Sequence, residues 1–297
     1  LGVRIKSNNT LVATICGKLV NVQVNKNKLN MVEVNLLCVH PKLRNKRLTP
    51  VLIQEITNRF TLLGHSVGIY TASANLSTPI LTAKYYHKIL NAKVLYETGF
   101  IQLDKNTTLK GVKHAHAISN NINPTFKKME SSHIDQMYDL FNAYMGKYNL
   151  HAIYTKEEFN ASLSNKLVTC YVMLDEENNV VDFASYYTMQ SRVLKKNDKY
   201  KFINKAYLYY YTSLTETPYN LIKNLLVVAK NHSIDVFDAL DIMENKTTLY
   251  DLGFDEGTGL SNYYLYNWRI KPIKNTQCAI GWECCARTIR SDRHRRW

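Results

Sequence analysis

The 297-residue sequence has no apolar run near the roughly 20 residues that a membrane-spanning helix needs. Its opening, Leu1-Gly2-Val3-Arg4, has neither the charged nor the apolar region of a secretory signal. A cytoplasmic protein is the expectation. The chain also lacks a cysteine framework: Cys16, Cys38 and Cys170 are scattered, and only Cys278, Cys284 and Cys285 lie close together. That is not the even spacing of a disulfide-stapled secreted domain, so free thiols are expected. Without a secretory route, the Asn-x-Ser/Thr matches at Asn75, Asn106 and Asn245 carry no weight. An initiator methionine is missing as well, and strand-like alternation starts at once, so the natural start is expected upstream of Leu1.

Acidic residues are few, 24 against 38 basic ones, giving a formal charge of +14. Such an excess suits a polyanionic partner, either nucleic acid or a phosphate-rich small molecule. Its distribution argues against nucleic acid. Arg287, Arg290, Arg293, Arg295 and Arg296 sit in a short tail with only Asp292 to balance them, and many lysines stand among asparagines in loop-like stretches at 25–30 and 195–205. The 45% hydrophobic content is ample for a large core or two medium ones.

Alternating Val20, Val22, Val24 and then Val32, Val34, Leu36 predict two strands, 11–24 and 31–39, joined as a hairpin by a Lys/Asn turn. The basic stretch His40 to Leu48 follows, and then a helical pattern carries Val51, Leu52, Ile53, Ile56, Phe60 and Leu63. Thr49 can cap that helix, Pro50 suits its first turn and Gly64 can stop it. Val67 to Thr71 then reads as another strand, so a partly parallel sheet is expected. The polar stretch Asp104 to Asn123, with His114 and His116, reads as a connection between halves.

A weak internal repeat runs through the chain. Gly64-His65-Ser66-Val67-Gly68-Ile69-Tyr70 is echoed by Asn231-His232-Ser233-Ile234-Asp235-Val236-Phe237, each after an amphipathic helix. Leu95-Tyr96-Glu97-Thr98-Gly99-Phe100 is echoed, in the same order, by Leu249-Tyr250-Asp251-Leu252-Gly253-Phe254. A duplicated α/β unit accounts for both.

Two local features carry chemistry. Arg44 to Thr49, between a strand end and a helix start, combines cationic side chains with unpaired N–H groups and can cradle a pyrophosphate; a solvated basic loop is the alternative that spacing alone favours. In Glu33-Val34-Asn35-Leu36-Leu37-Cys38-Val39 the alternation breaks at Leu36-Leu37. A bulge there would free backbone N–H groups for an oxyanion and leave an edge for an extended ligand, while the alternative is an ordinary buried strand.

Glu33 to His40 followed by Lys42 to Ile53 resembles the signature and coenzyme A loop of the N-myristoyltransferase family, whose members are glycylpeptide N-tetradecanoyltransferases. Tyr70-Thr71-Ala72, Tyr85-Tyr86-His87, Asp238 to Thr247 and Tyr263 to Trp268 are similar to further blocks of that family, in family order. The resemblance implies an α/β (α+β) fold of two fused acetyltransferase-like (GNAT) halves with mixed sheets flanked by helices. Residues 1–110 would bind acyl-CoA, with the start of that half missing; 111–283 would give most of the peptide groove; 284–297 would be an atypical basic tail. It further implies myristoyl-CoA as co-substrate, no metal, N-terminal-glycine peptides and proteins as acceptors, and a monomer.

By position, Leu36 and Leu37 would supply oxyanion N–H groups, with Thr71 beside them in catalysis. Leu36, Leu37, Cys38 and Val39 would line the co-substrate, and Arg44, Asn45, Lys46, Arg47, Leu48 and Thr49 would hold its phosphates. Asn35, Thr71, Tyr85, His87, Phe100, Ser191 and Tyr210 would contact the acceptor; read from composition alone, Tyr85 and Phe100 are as well explained as core aromatics and His87 as a structural histidine.

The sequence departs from the family pattern in places. Leu36 stands where Phe is usual, and Thr258 where an acidic residue is usual. The family's base is held to be the chain's own terminal carboxylate, a position that falls near Glu283, with residues 284–297 still to follow. The Glu283 side chain is the expected substitute. Zinc on Cys278, Cys284, Cys285 and His294 fits no compact spacing. A GNAT enzyme using a shorter acyl-CoA, and a binding protein without turnover, are the competing readings.

Overall fold

The computed structural model describes residues 1–104, 106–194 and 199–281. Strand β1 (Gly2–Arg4) pairs antiparallel with β2 (Leu11–Val24), which forms the expected hairpin with β3 (Asn27–Val39). The turn is tighter than expected. Asn25 takes a left-handed φ of 53°, which asparagine tolerates, so pairing resumes at Val24↔Asn27 and residues 27–30 belong to the strand.

After β3 the chain makes a 3-10 turn, Pro41–Lys46, and enters helix α1 (Leu48–Leu62). The expected Thr49 cap is not formed. The cap residue is Arg47, at φ 53°, with no side-chain hydrogen bond to the helix, and Thr49 lies inside the first turn. Leu52, Ile56 and Phe60 pack on Ala13, Ile15, Val34 and Val39, covering one face of the hairpin. Gly17 permits this approach, since a Cβ there would fall 2.5 Å from the Phe60 ring. Gly64 ends the helix as expected, at φ 85°, and strand β4 (Gly68–Ala72) returns parallel to β3.

Next come β5 (Leu81–Ile89), α2 (Ala92–Glu97), α3 (Leu109–Ala115), β6 (Phe126–Lys128), α4 (Ile134–Met145), β7 (Leu150–Ile153), α5 (Lys156–Leu163) and β8 (Val168–Leu174). Strands β9 (Val180–Arg192) and β10 (Phe202–Tyr211) precede α6 (Pro218–Asn231), β11 (Val236–Leu240), α7 (Asn245–Asp251) and β12 (Asp255–Tyr266). The stretch expected as plain connection at 104–123 thus contains a short helix, α3, capped by the Thr108 hydroxyl, which accepts from the Gly111 N–H at 3.1 Å. No described helix is long and apolar enough to cross a membrane.

The expected mixed sheet flanked by helices is present, and it is continuous. Its order is β1-β2-β3-β4-β12-β5-β11-β10-β9-β8-β6, with β7 also on β2. Strand β12 runs between β4 and β5, and β5 between β12 and β11, so neither end of the chain closes a sheet without a strand from the other. A large aromatic-rich core, including Phe141, Tyr144, Phe159, Phe183, Tyr210, Tyr211 and Phe237, fills the space beneath α4, α5 and α6.

The duplicated unit is visible in the backbone. Helix α1 connects parallel β3 and β4, and α6 connects parallel β10 and β11. Phe100 N–H donates to the Leu95 carbonyl (2.8 Å) and Phe254 N–H to the Leu249 carbonyl (2.9 Å), the same helix stop built on Gly99 and Gly253, both at positive φ. The other echo is shifted by two residues. The left-handed stop after α1 is Gly64, but after α6 it is Ser233 (φ 58°) rather than Asn231.

Candidate active site

Along β3 the pairing to β2 runs Asn35↔Cys16 and then Cys38↔Thr14, so Leu36 and Leu37 together face the single residue Ile15. This is a β-bulge, with Leu36 left-handed at φ 54°. Both leucines are 38% exposed, which is high for apolar side chains mid-strand. The Thr14 hydroxyl donates to the Leu36 carbonyl at 2.9 Å and holds the kink.

The other edge of β3 is free of β4 at the same level. The two strands pair only at Val32↔Gly68 and Glu33↔Ile69 and then diverge. Beyond that point lies a small cleft lined by Glu33, Asn35, Ile69, Tyr70, Thr71, Tyr263 and Ile280. Asn35 and Thr71 therefore share one cleft, directly before the bulge. The Asn35 amide donates to the Glu33 carboxylate. Tyr70 is stacked on Tyr264, ring centroids 5.1 Å apart.

Downstream of the bulge, Cys38 and Val39 are half-buried, and Val39 packs under α1. Arg44, Asn45, Lys46 and Arg47 are exposed, while Leu48 and Thr49 are half-buried. The first turns of the 3-10 segment and of α1 hold no acidic residue, and Arg44 and Lys46 sit in the last turn of the 3-10 segment. With no side-chain cap on α1, its first N–H groups and the neighbouring cations meet the requirements of a phosphate site.

A second group of predicted residues meets farther along the sheet. His87 Nδ1 lies 2.5 Å from Oδ1 of fully buried Asp238, whose other oxygen is 3.9 Å from Lys205 Nζ. The Phe100 ring stands edge-on to His87, centroids 6.4 Å apart, with the Lys205 ammonium 4.6 Å from its centre. Gly257 closes the other side of the imidazole: a Cβ there would collide with the His87 ring and fall 2.8 Å from the Tyr85 carbonyl oxygen. Glycine at 257 is thus required by packing. Tyr85 is buried and borders a cavity shared with Tyr187, Tyr207, Tyr209, Asp238 and Gly281, in the gap where β10 and β11 diverge.

Two predicted acceptor contacts stand apart from these groups. Ser191, near the end of β9, pairs with Ile203 and is half-buried. Tyr210 is 1% exposed and packs inside the core against Phe141 and Tyr154, its hydroxyl 3.2 Å from that of Tyr154. Glu283, the tail 284–297 and the cysteines and histidine in it lie outside the described residues.

Asp238, Lys205, Glu33 and Gly257 were not singled out as site residues in the sequence. One signal for Asp238 was available: it is the only charged residue in Val236-Phe237-Asp238-Ala239-Leu240, and a carboxylate in so apolar a strand needs a buried partner. That partner, His87, is 151 residues away.

The chain matches two models of one family, the N-terminal domain of myristoyl-CoA:protein N-myristoyltransferase over residues 1–83 and its C-terminal domain over residues 97–281. It is 40% identical over 282 residues to the glycylpeptide N-tetradecanoyltransferase of Plasmodium falciparum, covering 94% of this chain and 68% of that protein. Against the enzyme of the same name from Aspergillus fumigatus the identity is 38% over 292 residues, covering 92% and 59%. A crystal structure of Saccharomyces cerevisiae N-myristoyltransferase with bound myristoyl-CoA superposes with a TM-score of 0.86 at 35% identity, covering 92% of this chain and 71% of that one. The chain belongs to the myristoyl-CoA:protein N-myristoyltransferase family.

Proposed function

We propose that the chain transfers a myristoyl group from myristoyl-CoA to the N-terminal glycine amine of acceptor peptides and proteins. The observation that carries the reading is the bulge at Leu36–Leu37, set where β3 leaves β4 and followed at once by the basic turn and the uncapped start of α1. The arrangement matches a thioester with a phosphate-rich handle: phosphates at Arg44 to Thr49, an extended chain along the free edge past Cys38 and Val39, and the carbonyl at the bulge.

The amine attacks the thioester carbon, the carbonyl oxygen takes up negative charge, and the sulfur leaves as coenzyme A. Backbone N–H groups of Leu36 and Leu37 stabilise that oxygen, which makes Leu for the family's Phe immaterial at position 36, because only main-chain atoms act. Asn35 and Thr71 border the place the amine must occupy. Residues 1–110 supply the acyl-CoA site in this reading, and the acceptor continues toward Tyr85, His87, Phe100, Ser191 and Tyr210 on the side that 111–283 largely builds. His87 is a candidate recognition group, since Asp238 holds its Nδ1 and thereby fixes the ring against Gly257 and Phe100. An acidic residue is absent at Thr258, so a preference for basic acceptor side chains is expected to be weak here.

The test is calorimetric titration with a non-hydrolysable myristoyl-CoA analogue and, in parallel, with acetyl-CoA, followed by turnover with a Gly-initiated peptide. Selective binding of the longer acyl chain and transfer to glycine are the expected results. Equal binding of both ligands would favour a GNAT enzyme of other acyl specificity, and binding without transfer would favour a binding protein.

A further inference from the structure

The functional reading above leads the acceptor peptide past His87 and Phe100, where the charge of the wall governs which side chains it admits. We propose that Lys205 determines acceptor specificity there, favouring an acidic acceptor side chain and disfavouring a basic one. The inference rests on that reading and goes beyond it in naming the selecting group and the chemistry it selects.

Three strands bring the group together. Asp238 on β11 lies directly opposite His87 on β5, and Tyr207 on β10 is the parallel partner of Asp238. Lys205, two residues before Tyr207, therefore projects from the same face of β10. Its ammonium is 3.9 Å from Asp238 Oδ2 and 4.6 Å from the centre of the Phe100 ring, which stands edge-on to His87. The cation–π contact keeps the ammonium beside two of the proposed acceptor contacts.

Depth gives the group its sign. The Asp238 side chain is 0% exposed, against 13% for Lys205 and 24% for His87, and Phe100 is an exposed residue. The carboxylate is thus the innermost member, and the ammonium and imidazole lie outward of it. A passing peptide meets the ammonium before the carboxylate, and a charge so little solvated is weakly screened.

The neighbouring acids are engaged. Asp255 lies 3.1 Å from His116 Nε2, and Glu256 lies 2.5 Å from Lys84 Nζ. Glu256 moreover pairs with Tyr86, whose side chain alternates to the sheet face opposite His87. Position 258 follows Gly257, which packs against the His87 ring, and it holds Thr in place of an acid. A basic acceptor side chain therefore meets carboxylates already held, whereas an acidic one meets an ammonium.

The experiment measures kcat/KM for Gly-initiated peptides that carry Glu, Gln or Lys at one position at a time, with wild type, Lys205→Met and Lys205→Arg in the full chain. Met keeps an apolar stem without the charge, Arg keeps the charge, and binding of the myristoyl-CoA analogue reports folding. At one position the wild type should prefer Glu over Lys by about tenfold, with Gln between them; Lys205→Met should remove most of that ratio and Lys205→Arg retain it. Added salt should shrink the wild-type ratio, a readout that decides the matter if Lys205→Met does not fold. A wild type indifferent to Glu and Lys at every position overturns the assignment, as does a ratio that resists salt. An equal loss for all three peptides in Lys205→Met, with the ratio unchanged, overturns it too, because the lysine then serves structure alone. A wild type that transfers to no peptide is a failure of the functional reading itself, seen before any ratio is taken, and removes both.

Discussion

The two β-α-β units of the chain are built alike and finished differently. In each, a strand carries a bulge just before the crossover helix: Leu36–Leu37 opposite Ile15 in β3, and Tyr209–Tyr210 opposite Ser185 in β10. In each, the parallel partner diverges at that level. The second bulge is tied off. The buried Ser185 hydroxyl accepts from Tyr210 N–H at 3.1 Å and donates to the Tyr210 carbonyl at 2.7 Å, and the tyrosine ring is sunk in the core. Ile15 in the equivalent place has no polar side-chain atom, and the first bulge stays partly exposed.

The segments entering the two helices differ in the same sense. Before α1 stand Arg44, Lys46 and Arg47, with no acidic residue in the first turn of the 3-10 segment or of α1. Before α6, the backbone N–H groups of Leu214, Thr215 and Glu216 all donate to fully buried Asp182, at 2.7, 2.8 and 2.7 Å. An internal carboxylate thus occupies the kind of N–H cluster that, in the first unit, is left for an external anion. The difference teaches how one motif serves as site and as scaffold: saturating its polar groups from within removes the ligand.

The comparison is broken most severely at Asp182. Asp182→Ala strips three N–H groups of a fully buried charged acceptor, and hydrogen bonds to charged groups contribute about 1.5–3 kcal/mol each, so a loss of roughly 3 kcal/mol or more is expected. Urea unfolding measures it. Asp182→Asn, which keeps the shape and one acceptor oxygen, should lose visibly less, and equal losses would mean that packing rather than the anion holds the segment.

A smaller change sharpens the comparison at the open bulge. Leu36 holds a left-handed backbone that costs a non-glycine residue about 1–2 kcal/mol. Leu36→Gly should fold with unchanged or slightly higher stability and keep transfer within a few-fold, because the proposed oxyanion donor is main chain. A collapse of kcat with analogue binding intact would show that the leucine side chain acts.

How far the sequence disclosed this can be judged residue by residue. The bulge was legible as one of two readings, because alternation is local and two successive leucines break it, though an ordinary buried strand would show the same pair. The repeated Leu-Tyr-x-x-Gly-Phe stop was legible because it is built from contacts five residues apart. The exchange of β5 and β12, the Ile15–Ser185 contrast and the His87–Asp238 pair depend on chain segments far apart in sequence, and no periodicity reports them. The Thr49 cap failed for a local reason of another kind: Arg47 takes the left-handed turn that lets the helix start two residues early.

The smallest predicted effect concerns the seams around the two units. His116, at the end of α3, reaches Asp255 of β12 at 3.1 Å with its side chain 8% exposed, and His151 contacts the Tyr148 carbonyl at 2.8 Å. Burial pushes both imidazoles below the ordinary histidine value, for His116 against the opposing pull of Asp255. The unfolded chain therefore binds more protons than the folded one below about pH 6.5, so this stability is complete above that pH and is lost as pH falls beneath it. Carboxylates held low by their partners do not account for a change so near neutrality. Asp175, lowered chiefly by the Asn179 backbone N–H, is one of these, and such groups titrate only in stronger acid. Thermal melts should show a Tm lower by about 1–3 °C at pH 5.5 than at pH 7.5, and a His116→Gln, His151→Gln double variant should flatten the difference. An unchanged slope in that variant would place the titrating groups elsewhere and leave the α3 and β12 seam indifferent to pH.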